Sequence, residues 1–402
     1  MQEEEKRFHH HAGLYVKDLG ADKVLFEYNS RQYFTPASNT KILTFFTALN
    51  LLGDRVPALR YEERNDSLIF WGTGDPSFLY DLTFNDSTVF EFLKSARKSL
   101  YFSAANFHTT NFGPGWAWDD YNDEYSAERS PMPIYGNCFQ VLPLPDGLLV
   151  VPMFFGRYLQ HGLPGEKAEV VRDVTSNTFS FRPGRDGKFR EFRIPFRTNQ
   201  ALVAQILSDT LHKAVRLSTS RPSKSASTIY GVPSDSLYSV MMKESDNHIA
   251  EQLLLMSACV ISDTLKPEIA IRHMQQNFFK TYSDKPIWRD GSGLSRYNLV
   301  TPRFIGELWQ DIYRKMPQQR LFSLLATGGE QGTLKNWYNG IEKPYVFGKT
   351  GSLSNNHCLS GYLVTRRGKV LIFAFMNSNY ATSINDIRRS MQKILNLYYD
   401  NY

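Results

Sequence analysis

The 402-residue chain is 42% hydrophobic and 14% aromatic, enough to bury a sizeable core, and its net charge of +6 comes without a polybasic block. Those values exclude a disordered chain and carry no nucleic-acid signature. The longest apolar runs, LLLMSACVI (253–261) and VLIFAFM (370–376), fall well short of the about 20 residues that span a bilayer. Cys138, Cys259 and Cys358 are odd in number and form no CxxC pair, which suggests neither a zinc site nor a disulfide framework.

In chain order, the start MQEEEKRFHHHAG has no apolar run of the signal-peptide kind. Its histidines at 9–11 read as a solvated tract, because no acidic or cysteine partner stands at ligand spacing. Residues 13–28, GLYVKDLGADKVLFEY, predict two strands joined by a Gly-Ala-Asp turn. After Pro36, the residues Ile42, Leu43, Phe45, Phe46, Leu49 and Leu52 make a helix apolar around most of its surface, hence a buried one, with Ser38 as its cap. Between about 60 and 232 short strand-like pieces are punctuated by Gly, Pro and Asn, as in NFGPGWAWDDYNDEY, LPLPDGLLVVPMFF and FRPGRDGKFREFRIPF, and the stretch reads as mostly β and loop. Helical texture returns at 236–260. CLSGYLVTRRGKVLIFAFMNSN (358–379) predicts a strand pair turning at Arg367 and Gly368, preceded by the strand YVFGK (345–349). The tail carries a helical stripe of Ile384, Ile387, Met391, Ile394 and Leu395. Its opposite face is not strongly basic, so it reads as a cover for the sheet and not as a membrane anchor. The expected organisation is one α/β domain, residues 12–59 plus 233–402, interrupted by a β-rich insertion over 60–232.

Three short patterns carry chemistry. Lys41 stands three residues after Ser38 and so shares its helix face. A lysine enclosed by apolar groups loses its proton more readily and can then take one from serine. SxxK alone is weak, since Ser95–Lys98 matches it too. Ser245-Asp246-Asn247 interrupts the long apolar helical pattern and could bring a proton shuttle and an amide to a site, although Ser354 with Asn356 and Ser383 with Asn385 share the spacing. Lys349-Thr350-Gly351, at the end of a strand, is the only KTG. Its lysine and threonine can hold a carboxylate, and its glycine allows close approach of a bound peptide.

Together the three patterns resemble the signatures of the penicillin-recognising serine acyltransferases. With GTGDPSF (72–78), GWAWDD (115–120), KESDNHIAE (243–251), DGSGLSRYNLVTP (290–302) and FGKTGSL (347–353), the chain resembles the penicillin-binding protein 4 family of D-alanyl-D-alanine carboxypeptidases and endopeptidases. The resemblance implies a penicillin-recognition α/β sandwich with a mainly antiparallel sheet. Ser38 would be the nucleophile and Lys41 its base, with Ser245 and Asn247 as partners and Lys349 and Thr350, in the KTG with Gly351, at the substrate carboxylate. The backbone NH groups of Ser38 and Ser352 would form the oxyanion hole. The implied substrate is a peptidoglycan stem peptide, β-lactams would be covalent inhibitors, and neither metal nor organic cofactor is implied. The implied location is periplasmic or envelope-associated, reached with a signal absent from this sequence.

GWAWDD has two readings. In one, its aromatics dock the insertion onto the main domain; in the other, Asp120, or else Asp119, takes the free amine of the stem peptide's third residue. The DGSGLS loop reads as structural, because Asp-Gly and Ser-Gly are ordinary turn formers. The alternatives to a peptidase are a non-catalytic module binding cell-wall peptides and a serine β-lactamase.

Overall fold

Strand-length, largely apolar runs near the two ends of the chain come together in one sheet buried on both faces. A computed structural model describes residues 1–80, 83–144, 147–188, 191–340 and 343–402. Six strands lie in the order Ala326–Thr327, Val346–Leu353, Asn356–Val364, Val370–Ser378, His11–Asp18 and Lys23–Tyr28, every neighbour antiparallel. The opening hairpin is thus zipped to the last strand, with His11 opposite Ser378. On one face the tail helix Ile384–Asn401 buries Ile387, Met391 and Leu395 against Leu14, Leu359 and Phe373. On the other face the helices Thr40–Leu51, Asn247–Ser262 and Pro302–Lys315 share a larger core with Tyr15, Tyr362 and Ile372. The first two helices are apolar nearly all round and are buried accordingly.

The insertion is built on a separate core that includes Phe70, Phe102, Phe139, Phe155 and Ile206. Its largest sheet has five strands, ordered Val215–Ser218, Ser99–Ser103, Ser67–Gly72, Arg55–Arg64 and Ser227–Pro233, and two three-stranded sheets accompany it. The strand by which the chain leaves the main sheet's helices, Arg55–Arg64, pairs with the strand by which it returns. Two helices, Thr88–Ser95 and Gln200–Leu211, stand in a stretch that is otherwise, as expected, mostly β and loop. Each is a short amphipathic run between turn formers, too brief to stand out from its surroundings. Of the quoted insertion segments, Pro145, Asp146, Phe189 and Arg190 lie outside the described residues.

Three expectations are corrected in whole or in part. Of the histidines at 9–11, His9 and His11 are exposed as in a solvated tract, but His10 is buried and bonds Asn377 Oδ1 at 3.0 Å while His11 opens a strand. Ser38 is not a cap: it sits inside a 3-10 turn, Ala37–Asn39, that precedes the helix, and its side chain makes no capping bond. The KTG triplet lies within the strand Val346–Leu353, not at a strand end. The tail helix and both terminal strand pairs are where the sequence places them. The three cysteines are free thiols, each buried. Among the described residues no helix is long and apolar enough to cross a membrane.

Candidate active site

The turn carrying Ser38 is held in a costly conformation. Ala37 has φ 48°, a region that disfavours a residue with a Cβ. Two close approaches hold it there. A Cβ on Gly293 would come 1.8 Å from the Ala37 carbonyl oxygen, and one on Gly351 would come 2.4 Å from the Pro36 carbonyl oxygen. Gly351 therefore serves the packing of the KTG strand against the turn that carries Ser38. Asn39 fastens the same junction: its amide donates to the Lys349 carbonyl at 3.0 Å and its Oδ1 accepts from Ser360 Oγ at 2.6 Å.

Lys41 points inward because its helix is buried on all sides and the polar groups at its head need a partner. Its Nζ lies 2.9 Å from Ser38 Oγ, 2.6 Å from Asn247 Oδ1 and 2.8 Å from the Ser292 carbonyl oxygen. As an ammonium it donates all three hydrogens. As a neutral amine it keeps two for the carbonyl oxygens, which can only accept, and turns its lone pair to the Ser38 hydroxyl. Burial pushes the Lys41 pKa down to about 8, against the upward pull of the Asp246, Asp290 and Glu251 carboxylates. That value leaves a neutral fraction near pH 7, a form whose lone pair can accept a proton from a hydroxyl.

Ser245 sits with φ 65° between the helices Ser234–Lys243 and Asn247–Ser262, where Asp246 caps the second by accepting from the Ile249 amide. The fully buried Lys349 Nζ donates to Ser245 Oγ and to the Thr350 carbonyl oxygen, each at 2.8 Å. Burial, then the charge of Lys41, push its pKa well down. Thr350 Oγ1 donates to Thr333 Oγ1 at 2.8 Å, and Ser352 Oγ lies 2.8 Å from Nδ1 of buried His357. Of the competing matches, Ser95 ends a helix, Lys98 pairs with Glu63 and Ser383 caps the tail helix, whereas Ser354 lines the cavity that opens over Ser38.

A cavity of about 630 Å³ opens over Ser38, and Asp119, Asp120, Asn247 and Ser352 line it. Asp120 accepts from the Tyr125 hydroxyl at 2.9 Å. The two tryptophans of GWAWDD part company. Trp116 docks, its Nε1 donating to Asp290 Oδ2 at 2.9 Å, whereas Trp118 is 78% exposed.

Sequence reasoning missed a buried carboxylate layer beneath the site. Glu251 Oε1 accepts from the Ser292 amide at 2.7 Å and so fixes the peptide whose carbonyl meets Lys41. Its Oε2 accepts from Arg129 Nε at 2.8 Å. Asp290 accepts from the amides of Gly293 and Ser295 and from the side chains of Asn298 and Trp116. The DGSGLS loop, which the sequence suggests is structural, also reaches the site: Gly293 and Leu294 line the cavity and the Ser292 carbonyl meets Lys41. The signal available in sequence was a glutamate, Glu251, inside an otherwise apolar helix.

The pattern for the D-Ala-D-Ala carboxypeptidase 3 (S13) family matches residues 2–398. The chain belongs to that family. Members are serine-type carboxypeptidases, so this chain is a hydrolase of that type. The D-alanyl-D-alanine carboxypeptidase DacB of Haemophilus influenzae is 22% identical over 92% of this chain and 86% of its own. The crystal structure of penicillin binding protein 4 (dacB) from the same organism covers 99% of both chains with a TM-score of 0.80 at 21% identity, which makes the fold a penicillin-recognition α/β fold. A predatory peptidoglycan endopeptidase of Bdellovibrio bacteriovorus covers 96% of this chain and 90% of its own with a TM-score of 0.55 at 14% identity.

Proposed function

We propose that the chain hydrolyses the terminal D-alanyl bond, or the D-alanyl cross-link, of peptidoglycan stem peptides through an acyl-enzyme on Ser38, in the periplasm or cell envelope. The observation that carries this reading is the buried Lys41 amine 2.9 Å from Ser38 Oγ, with Asn247 and Ser292 occupying its other hydrogens. Lys41 takes the hydroxyl proton as Ser38 attacks the penultimate D-alanine carbonyl. The amides of Ser38 and Ser352 receive the oxyanion. Ser245, whose oxygen accepts from Lys349, keeps its own proton for the leaving nitrogen. Water then releases the acyl group. Incubation with a pentapeptide muropeptide should release D-alanine, and binding without release would favour a non-catalytic module. We also take residues 12–59 and 233–402 as the catalytic unit and 60–232 as an inserted unit, supported by the separate apolar core of the insertion.

Lys349, with Thr350, serves the substrate's terminal carboxylate: burial disfavours its charge in the free protein, and an arriving carboxylate would restore it beside Ser245 and the Thr350 carbonyl. Lys349→Ala should therefore lose far more rate on a free-acid peptide than on the C-terminal amide, by ~10-fold or more for a charge-assisted contact of ~1.5–3 kcal/mol. Equal losses on both substrates would return Lys349 to a structural role.

Asp120, with Asp119 beside it, lines the cavity over Ser38, which supports the reading that it receives a free amine on the stem peptide's third residue. Turnover of a peptide with that amine free should exceed turnover of its acetylated form, and Asp120→Asn should narrow the gap more than Asp119→Asn. A gap that neither substitution narrows would assign the two acids to the loop alone.

A further inference from the structure

A second cavity, of about 530 Å³, opens beside the first, sharing Tyr125 and Asn247 with it and adding Ser245 and Asp246. The chemistry at Ser38 uses none of its remaining wall. Arg193 spends its charge within that wall, with Nη1 2.5 Å from Glu124 Oε1 and Nη2 donating to the Tyr80 hydroxyl at 2.5 Å. Glu244 and Asp246 have no ion-pair partner among the described residues, so the cavity is left net negative. His248 also lines it. That side chain is 6% exposed, and neither ring nitrogen has a hydrogen-bond partner among the described residues. Burial pushes its pKa down to about 4, so the ring is neutral and holds one N–H and one lone pair unmatched. Unpartnered buried polar atoms are rare in native proteins, and here they belong to a residue that lines a cavity wide enough for a ligand.

We infer that this cavity is the subsite for the leaving strand of a cross-linked substrate, an amine-bearing peptide drawn by the Glu244 and Asp246 carboxylates and hydrogen-bonded by His248. The inference rests on the hydrolytic reading above and adds where the released peptide goes. In acylation the bond between Ser38 Oγ and the carbonyl carbon forms, the carbon–nitrogen bond breaks, and the hydroxyl proton ends on the leaving nitrogen. That nitrogen belongs to a primary amine, which takes a further proton from water and departs as a cation. Free D-alanine needs little room; a peptide strand needs a chamber continuous with Ser245, on the side away from the acyl group.

The test measures kcat/KM of the parent, His248→Phe and Glu244→Gln on two substrates sharing one acyl side, a monomeric pentapeptide and its D-alanyl cross-linked dimer. His248→Phe replaces two unpartnered nitrogens with a ring of similar shape, and Glu244 is exposed, so both variants should fold. In each, the dimer-to-monomer ratio should fall at least tenfold. A ratio that stays put, or a parent that cleaves the monomer and not the dimer, overturns the inference. A second arm titrates an amine-bearing tetrapeptide, the leaving strand itself, into Ser38→Ala protein by calorimetry, with and without His248→Phe. Binding weakened at least fivefold by the histidine substitution supports the subsite, and unchanged or absent binding overturns it. Failure of the parent to release D-alanine from the monomer would instead strike the hydrolytic reading, while the calorimetric arm still decides the subsite.

Discussion

Ser38→Ala protein is expected to take up no fluorescent penicillin, and Lys41→Met protein to acylate at least ~10²-fold more slowly than the parent. Methionine keeps the aliphatic stem in the buried channel and removes only the amine, so the loss reports proton transfer and not a cavity. The parent's acylation rate should also depend on pH in a stated direction. The Lys41 pKa is pushed down to about 8, so below that value the neutral, proton-accepting form shrinks about tenfold for each pH unit. The rate should climb with pH and flatten above about 8, and the Lys41→Met residual rate should lack that rise. Labelling that survives Ser38→Ala would end the assignment of the nucleophile. A flat parent profile would move the base away from Lys41, with Ser245 next in line.

How much of this was legible in sequence depended on the range over which each signal acts. The opening hairpin, the strand pair around Arg367 and the tail helix are local patterns of period 2 or 3.6, and they stand where those periods put them. Ser38 and Lys41 are one turn apart, so their meeting followed from helix geometry alone. The approach of Lys41 to Asn247, and of Lys349 to Ser245, joins residues far apart in the chain, and family resemblance supplied the expectation that spacing could not. Other features had no local signature. The carbonyl of Ser292 reaches Lys41 only because Glu251 holds its amide, and a glutamate within LLLMSACVI-type surroundings gives no sign of which backbone it will meet. Gly351 suggested room for a peptide; the space is needed first by the Pro36 carbonyl, a tertiary contact. The short helices at 88–95 and 200–211 lost to the dense turn formers around them.

The layer beneath the site supplies the largest expected stability effect. Arg129 and Glu251 are 2% and 1% exposed; Arg129 Nη2 lies 2.6 Å from Glu251 Oε2, and the guanidinium stacks 5.2 Å from the Trp116 ring centre. Removing one partner of such a pair leaves the other charge buried and uncompensated, so Arg129→Met should cost about 3–5 kcal/mol in urea unfolding. Glu251→Gln should cost a similar amount, although glutamine can still accept from the Ser292 amide. Changing both residues together restores neutrality and keeps that amide bond, and most of the loss should return, giving a coupling energy that the two single changes lack. The same pair bears on the charge of Lys41. Glu251 pulls the Lys41 pKa up against burial, so Glu251→Gln should shift the midpoint of the acylation profile below that of the parent, and Arg129→Met, which leaves Glu251 unopposed, should shift it above. Losses that simply add in the double variant, with all midpoints unmoved, would mean that the pair neither offsets its own charges nor reaches Lys41, and that the Ser292 carbonyl is held by the DGSGLS loop without Glu251.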